Sequence, residues 1–182
     1  MADFVNTVDL LGDEVVANQI VEKTITEYND NEITEIGESA FYSCKLLTSV
    51  DLPNVTILNT DVFYYCSKLV NVNLPRVDGL VGETFYYCSA LEVIDLPKVT
   101  SIGSSVFAVC SKLTTVILRS ETVCSLGSVH NFMQTPFASG GTGGTVYVPQ
   151  ALISEYQNAT NWSTLYAQGT CNFVAIEGSE YE

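Results

Sequence analysis

The chain has 182 residues, of which 47% are hydrophobic and 10% aromatic, so it can bury a substantial core and is not a disordered chain. Asp and Glu number 21 against 7 Lys and Arg, a net charge of −14, which argues against nucleic acids and anionic lipid surfaces as partners, because both are bound through clustered basic residues. No run of about 18 apolar residues is present, so no membrane insertion is expected.

The first predicted element is an N-terminal cap over residues 1–32. The stretch GDEVVANQIVEK places Val16 and Ile20 at helical spacing, with acidic residues early and a lysine late, which favours a capping helix. The stretch ITEYNDNEITEIG follows and predicts a degenerate first rung. Three of its residues fall in columns of the repeat that comes next, namely Ile25, Tyr28 and Ile33.

Four regular repeats of 22 residues are predicted over residues 33–120. Aligned on itself at this spacing, the chain shows recurring leucine, β-branched and proline columns, with Arg119 replacing the proline in the last copy. The two most distinctive columns are Phe41, Phe63, Phe85 and Phe107, and Cys44, Cys66, Cys88 and Cys110. A period of this length with leucine-rich columns is typical of a leucine-rich-repeat solenoid.

Each repeat predicts one rung of that solenoid. In LTSVDLP the apolar Val50 and Leu52 alternate with polar residues, as in a half-buried strand, and the proline ends the strand. In AFYSC, Phe41 and Cys44 lie three residues apart, on one side of a single helical turn. We therefore expect an α/β repeat fold, a right-handed solenoid of 22-residue rungs with short strands and helical turns, stacked about 4.8 Å apart and capped at both ends.

Residues 121–149 predict a degenerate rung with an insertion. The stretch FASGGTGGTVYVP matches FAVCSKLTTVILR once eight residues are inserted within SLGSVHNFMQTP. This alignment places Phe137 in the Phe107 column and Val146 in the Val116 column.

Residues 150–182 predict a C-terminal cap that closes a single solenoid domain over 1–182. The stretch ALISEYQNA favours a short amphipathic helix, and NFVAIE favours a last strand. Such atypical ends are expected, because an open terminal rung exposes core and unpaired backbone.

The string IG..AF..C..L..V.LP.V resembles the bacterial-surface-antigen type of leucine-rich repeat, known from BspA-like proteins and their treponemal relatives. The resemblance is strong over 33–120, although the 22-residue period is slightly shorter than is usual in that family. The stretch VYVPQALISEYQNATNWSTLYA resembles the C-terminal cap of short members in gut Gram-positive bacteria and their prophages. In the first copy the match is carried by Ile36-Gly37, Ala40-Phe41, Cys44, Leu47, Val50 and Leu52-Pro53.

This resemblance implies adhesion or recognition without catalysis, on an exported or phage-borne protein. The N-terminal stretch MADFVNTVDLLGDEVV lacks the basic region and apolar core of a secretory signal. We therefore expect an extracellular, cell-surface or phage-borne location without a signal peptide in this chain.

The cysteines are predicted to be structural thiols. Zinc sites use clustered pairs of Cys or His, and spacings of 22 residues supply none. Disulfides between stacked rungs remain an alternative at this stage, as does either state for Cys124 and Cys171. The favoured interpretation is a small buried thiol beneath each phenylalanine.

No residue pattern predicts catalysis, a metal site or a cofactor. His130 lies in the insertion with no marked nucleophile or orienting partner. The 21 acids show no pair marked by spacing, and GGTGG lacks the ending of a phosphate-binding loop. The acidic stretch YNDNE lacks the spacing of an EF-hand calcium loop.

Two predicted surfaces are candidates for binding a partner. The strand face, formed by the outward positions of the strands, offers Asp51, Asn71, Asn73, Asp95 and Thr115. The tyrosine ladder, formed by residues between the inward Phe and Cys, offers Tyr42, Tyr64, Tyr65, Tyr86 and Tyr87. A flat amphipathic strip of this kind suits sugar rings or partner proteins, whereas the structural alternative is lateral packing of tyrosine on tyrosine.

The functional hypothesis is a non-enzymatic binding or adhesion module that recognises a protein or carbohydrate ligand. The alternative is a structural or assembly component, for example of a phage tail, that associates with copies of itself. The first predicts a monomer that binds an external ligand, and the second predicts a defined oligomer.

Overall fold

A computed structural model describes residues 24–182 and, ahead of them, the backbone of the two-residue strand Val16–Ala17. That strand pairs in parallel with Glu35–Ile36. Val16 and Ala17 are therefore extended and not part of the expected capping helix. Their pairing gives the backbone at the edge of Glu35–Ile36 hydrogen-bond partners that a helix would not supply. The rest of that predicted helix lies outside the described residues.

Short parallel strands build the described chain, and we number them in chain order. The strands on the strand face are β2 (Glu27–Asn29), β4 (Ser49–Asp51), β6 (Asn71–Asn73), β8 (Val93–Leu96), β10 (Thr115–Leu118), β12 (Gly144–Val148) and β13 (Cys171–Ala175). Those on the second side are β1 (Val16–Ala17), β3 (Glu35–Ile36), β5 (Ile57–Leu58), β7 (Gly79–Leu80), β9 (Ser101–Ile102) and β11 (Ser125–Leu126).

The strands stack in the order of the sequence repeat. The strand face contains two hydrogen-bonded groups, β2-β4-β6 and β8-β10-β12-β13, and the second side contains β1-β3-β5 and β7-β9-β11. From β2 to β6, and again from β8 to β10, partner residues lie 22 positions apart, as in the pair Tyr28 and Val50. Parallel strands stacked at the repeat spacing are the arrangement expected of the predicted leucine-rich-repeat fold. Its right-handed sense stays a prediction.

Backbone hydrogen bonds also join the helical turns on the third side of each rung. The Phe63 N–H donates to the Thr84 carbonyl at 2.8 Å, and the Tyr65 N–H donates to the Tyr86 carbonyl at 2.8 Å. The residue two places after each phenylalanine has a positive φ, which is 62° at Tyr65 and 63° at Val109. This left-handed conformation costs a non-glycine residue about 1–2 kcal/mol. The hydrogen bonds between rungs offset that cost and hold the residue in this conformation in each regular rung.

The phenylalanine column forms the centre of the core. Phe63, Phe85 and Phe107 are fully buried, and their rings stack with centroids 5.3 and 5.8 Å apart. The Cys66 thiol donates to the carbonyl of Phe41 at 3.1 Å, and Cys88 and Cys110 repeat the contact one and two rungs further on. A cysteine at this position therefore fills a small buried space and satisfies a carbonyl of the preceding rung.

The insertion is spread over the rung and does not lie in one place. Compared with the regular spacing between rungs, β11 lies two residues later in the sequence than expected, and β12 lies eight residues later. The turn whose carbonyl accepts the Val109 N–H lies three residues later than expected. The prediction that Phe137 continues the phenylalanine column is wrong, because Phe132 stacks on Phe107 with centroids 5.9 Å apart. Phe137 packs against Phe132 instead. The predicted pairing of Val146 with Val116 is present.

Asn131, in the 3₁₀ helix Val129–Phe132, replaces backbone contacts that the insertion displaces. It is fully buried; its Oδ1 accepts the Val106 N–H at 2.7 Å, and its Nδ2 donates to the carbonyls of Gly103 and Ser128. One side chain thus joins this rung to the one before it.

Two helices close the C-terminal end. They are α1 (Ile153–Asn158), which follows the 3₁₀ helix Gln150–Leu152, and α2 (Trp162–Ala167), which the sequence did not predict. The buried Trp162 donates its indole N–H to the Cys124 carbonyl at 2.7 Å, and the buried Tyr156 hydroxyl accepts the Cys124 N–H at 2.9 Å. Within the described residues no helix is long and apolar enough to cross a membrane.

Candidate binding surfaces

The strand face contains an open groove of about 520 Å³ across β4, β6 and β8. Four of the five strand-face residues selected from the sequence line it, namely Asp51, Asn71, Asn73 and Asp95. The sequence analysis did not select its apolar part, in which Val70 and Val93 are 45% and 39% exposed. The groove therefore combines amide and carboxylate groups with two exposed valines, which suits hydrogen bonding and apolar contact with one ligand.

Most of the charge in the groove is already paired. Asn73 donates to Asp51 at 2.6 Å, and the exposed Lys112 lies 3.3 Å from Glu92. Arg119 donates to Asp95 through both Nε and Nη2, and this hydrogen bond raises the pKa of the guanidinium. The bidentate Arg119–Asp95 pair is the most restrained of these, whereas Lys112 and Glu92 are largely exposed. The replacement of the proline column by Arg119 was the sequence signal for the Arg119–Asp95 pair.

Thr115 lies outside the groove, on the same face. It precedes Val116 on β10 and pairs with Thr145 on β12. Its side chain approaches the phenol of Tyr181, close to the C-terminus. The structure thus separates Thr115 from the other four strand-face candidates and brings it next to a residue that the sequence analysis did not select.

The tyrosine ladder consists of two stacked rows. Tyr42, Tyr64 and Tyr86 form the first, with centroids 4.9 and 4.7 Å apart, and Tyr65 and Tyr87 form the second at 4.2 Å. Ring planes within each row are 6–7° from parallel. All five predicted tyrosines are therefore brought together, on a strip that the fold does not require, since Ala108 and Val109 continue the same columns.

Stacking determines which parts of the ladder face a partner. Both faces of the Tyr64 ring are covered, by Tyr42 on one side and Tyr86 on the other. Desolvation and the neighbouring tyrosines and Glu83 raise the pKa of Tyr64. Ring edges and hydroxyl groups are thus the main exposed features, and a sugar ring has no open face to stack on in the middle of the first row. This geometry favours lateral packing as the main role of the ladder.

All six cysteines are buried and none forms a disulfide. The disulfides that the sequence left open are therefore not formed. Burial raises the pKa of Cys110 to about 12, and the thiols of Cys124 and Cys171 also have pKa values of about 12 for the same reason. The thiolate is the nucleophile and the metal ligand, so these side chains are inert in the folded protein. Within residues 24–182 no group of His, Cys, Asp or Glu is arranged to hold a metal ion.

Thiol labelling tests this assignment. At pH 8 in native buffer we expect Ellman's reagent to react with almost none of the six cysteines within minutes, because they are buried and protonated. In guanidinium chloride all six should react at once. A rapid phase in native buffer, assigned by mass spectrometry, would identify a reactive thiol that contradicts the structural role.

His130 lies at a shallow cavity of about 280 Å³ between the 3₁₀ helix Val129–Phe132 and α2. Its Nδ1 is 3.0 Å from the Ser128 hydroxyl, and Phe132 and Leu165 form apolar walls. The cavity lining contains no carboxylate and no cysteine.

The chain is similar in sequence to one family and in structure to several solved proteins. The family model for the BspA type leucine rich repeat region matches six copies over residues 16–135. No curated protein matches the sequence. The leucine rich repeat protein of Treponema pallidum is 23% identical with a TM-score of 0.63, over 74% of this chain and 64% of that one.

Two further solved structures show the same fold. A leucine-rich repeat protein from Bacteroides ovatus is 22% identical with a TM-score of 0.53, over 84% of this chain and 43% of that one. A leucine rich cell surface protein from Faecalibacterium prausnitzii is 22% identical with a TM-score of 0.54, over 73% and 42%. This chain thus spans less than two thirds of the length of each of the three solved proteins.

Proposed function

The chain belongs to the BspA-type leucine-rich repeat family, and from this premise we propose that it is a non-enzymatic binding module whose strand-face groove recognises a protein or glycan partner. Proteins of this family are typically protein-interaction or adhesion modules. Display on a bacterial surface or on a phage particle is the setting that the resemblance to exported and phage-borne members suggests.

The observation that supports this proposal is the composition of the groove. It places the Asn71 and Asn73 amides beside the Asp51 carboxylate, and it flanks them with the exposed Val70 and Val93. Amides donate and accept hydrogen bonds in fixed directions, so they distinguish one partner from another. The valines supply apolar contact of the kind that protein side chains or the apolar face of a sugar provides.

A non-enzymatic role is consistent with how the acids are held. Asp95 is paired with Arg119 and Asp51 accepts a hydrogen bond from Asn73. A general acid or base needs a group that exchanges its proton during a reaction. Carboxylates held by ionic and amide partners are better suited to fixed recognition.

The experiment compares the two surfaces on a glycan array and a protein array. Replacing Asn71 and Asn73 together by alanine should weaken binding to the best ligand about tenfold or more, because two hydrogen-bonding amides are lost from exposed positions without a change in the core. The matched control replaces Tyr65 and Tyr87 by serine and should leave the affinity unchanged. Loss of binding in the control alone would move the site to the tyrosine ladder and overturn the groove proposal.

Oligomeric state separates this function from the self-associating alternative. A binding module should sediment as a monomer and bind one class of ligand. A defined oligomer that binds nothing on either array, and that the tyrosine replacements convert to a monomer, would support an assembly role instead.

A further inference from the structure

The last six residues, 177–182, form a strap that folds back onto the strand face. Glu177 accepts the Gln150 N–H at 2.9 Å, just after the end of β12. The strap then turns at Gly178, whose φ is 78° and whose N–H donates to Glu182 at 2.9 Å. Tyr181 packs edge to face on Tyr147, with ring centroids 4.7 Å apart and planes 65° apart. A short segment of this chain thus lies on its own candidate binding surface.

The register places the strap next to the groove. Tyr147 follows Asp51, Asn73, Asp95 and Ile117 in one outward row of the strand face. Ile117 faces outward by this register and is nevertheless only 2% exposed. Thr115, in the adjacent outward row, approaches the Tyr181 phenol. The strand face therefore continues beyond the groove into a region where Tyr181 of the strap packs on Tyr147.

The contacts of Tyr181 describe the kind of side chain that this region accepts. An aromatic ring meets the Tyr147 ring in the edge-to-face arrangement that such pairs prefer, and its hydroxyl lies near the side chain of Thr115. Tyrosine combines a large rigid contact area with a polar end, which is why it is favoured at protein interfaces. A sugar can direct C–H groups at an aromatic face, but it has no aromatic ring with a terminal hydroxyl, so an aromatic side chain matches Tyr181 more closely.

We propose that Thr115 and Tyr147 form a subsite for an aromatic side chain, filled within the chain by Tyr181, and that the partner of the groove is a protein segment that brings an aromatic residue to this subsite in place of Tyr181. The proposal rests on the function proposed above for the groove, and it selects a protein over a glycan as partner.

The strap is built to be displaced more easily than the strands. Glu177, Gly178, Glu180 and Glu182 are exposed, and within residues 24–182 the strap forms no strand pairing. Segments with few buried contacts open at low free energy while the core remains folded. A tethered side chain also competes at a high effective concentration, so a partner must contact the groove as well before it displaces Tyr181. The strap would thus admit only partners that match both parts of the strand face.

A small phenol probe tests the subsite without any partner. We would titrate N-acetyltyrosinamide into the Tyr181→Ala protein and into the unchanged protein, and follow the backbone amide NMR signals of Thr115 and Tyr147. The vacated subsite should give saturable shifts in the Tyr181→Ala protein and none in the unchanged protein. Tyr166→Ala, which removes an exposed tyrosine from α2, is the matched control and should behave like the unchanged protein.

Two further arms make the outcome decisive. N-acetylleucinamide should give no saturable shift, and adding Tyr147→Ser to Tyr181→Ala should abolish the shift seen with the phenol probe. Equal shifts in the unchanged and Tyr181→Ala proteins, or equal shifts with the two probes, would overturn the aromatic subsite. Similar melting temperatures for the variants would show that each shift is measured on a folded chain.

The partner class is tested separately on the arrays. If the ligand is a protein with an aromatic contact, Tyr181→Ala should raise its affinity about threefold or more, because self-competition is removed. If the best ligand is a glycan whose affinity is unchanged by Tyr181→Ala, the inferred partner class is wrong while the groove proposal stands. Loss of binding on replacing Asn71 and Asn73 remains the separate test of the groove itself.

Discussion

Replacing Phe85 by alanine is expected to lower the free energy of unfolding by about 3–5 kcal/mol. Its ring is fully buried between Phe63 and Phe107, with centroids 5.3 and 5.8 Å away. The substitution removes apolar contact area and two ring stacks, and it leaves a cavity in the middle of the column. Each rung contacts only its neighbours, so no distant element can move in to fill that space. Guanidinium chloride unfolding, followed by far-ultraviolet circular dichroism, measures the loss.

The adjacent residue supplies the control for this prediction. Tyr86 points outward in the ladder and stacks on Tyr64, so Tyr86→Ala should cost about 1 kcal/mol. If Tyr86→Ala destabilised the protein as much as Phe85→Ala, the ladder would have to be counted as part of the core. The division of this helical turn into a buried column and a surface strip would then be wrong.

The regular rungs could be predicted from the sequence because every rung repeats the same physical requirement. A phenylalanine column, a cysteine column and alternating apolar strand positions recur at one spacing, and only stacked parallel rungs bury all of them together. The same logic predicted that tyrosines between the inward Phe and Cys lie outside. It offered tyrosine packed on tyrosine only as one of two interpretations, since spacing along the chain does not give ring orientation, and the structure has the rings stacked.

The insertion could not be placed from the sequence. Two phenylalanines, Phe132 and Phe137, compete for one column, and glycines occupy the positions where Cys and Leu would fix the alignment. The extra residues are accommodated by contacts that leave no repeating signal, above all the hydrogen bonds of Asn131. The strap escaped prediction for a similar reason. Tyr181 reaches Tyr147 and Thr115 through long-range contacts that occur once in the chain.

The insertion and the strap both lie toward the C-terminal end of the solenoid, where the strand face differs from the open groove between β4 and β8. Between β4 and β8 the face is open and lined by amides, acids and valines. At β10 and β12 it carries the buried Ile117 and the half-buried Tyr147, and Tyr181 of the strap packs on Tyr147. The regular rungs thus supply a scaffold and an open groove, and the irregular C-terminal part determines how far that groove extends.

Replacing Asn131 by alanine is expected to lower the free energy of unfolding by about 2–4 kcal/mol. The Val106 N–H loses its acceptor, and the carbonyls of Gly103 and Ser128 lose a donor. A buried polar group without a partner costs about 1–3 kcal/mol. Water can partly hydrate the carbonyls of the half-buried Gly103 and Ser128, whereas Val106 is buried. Thermal and denaturant unfolding of the full chain measure the effect. Asn59→Ala is the matched control, since its half-buried amide serves the Ile36 carbonyl and Glu35, and it should cost about 1 kcal/mol.

Asn131→Asp separates the acceptor role of this side chain from its donor role. A carboxylate keeps the acceptor for Val106 but faces the carbonyls of Gly103 and Ser128 without a proton to donate. Burial and these carbonyls should raise the pKa of the introduced carboxyl in the folded state above its unfolded value. Its contribution to stability is then fully present below the unfolded pKa and is lost as pH rises through the folded pKa.

The free energy of unfolding of Asn131→Asp should therefore come closest to that of the parent protein in acid, and the difference should grow as pH approaches neutrality. Asn131→Ala should show a constant deficit over the same range. Parallel stability curves for the two variants would mean that Asn131 does not donate to these carbonyls, and that some other contact joins the irregular rung to the regular ones.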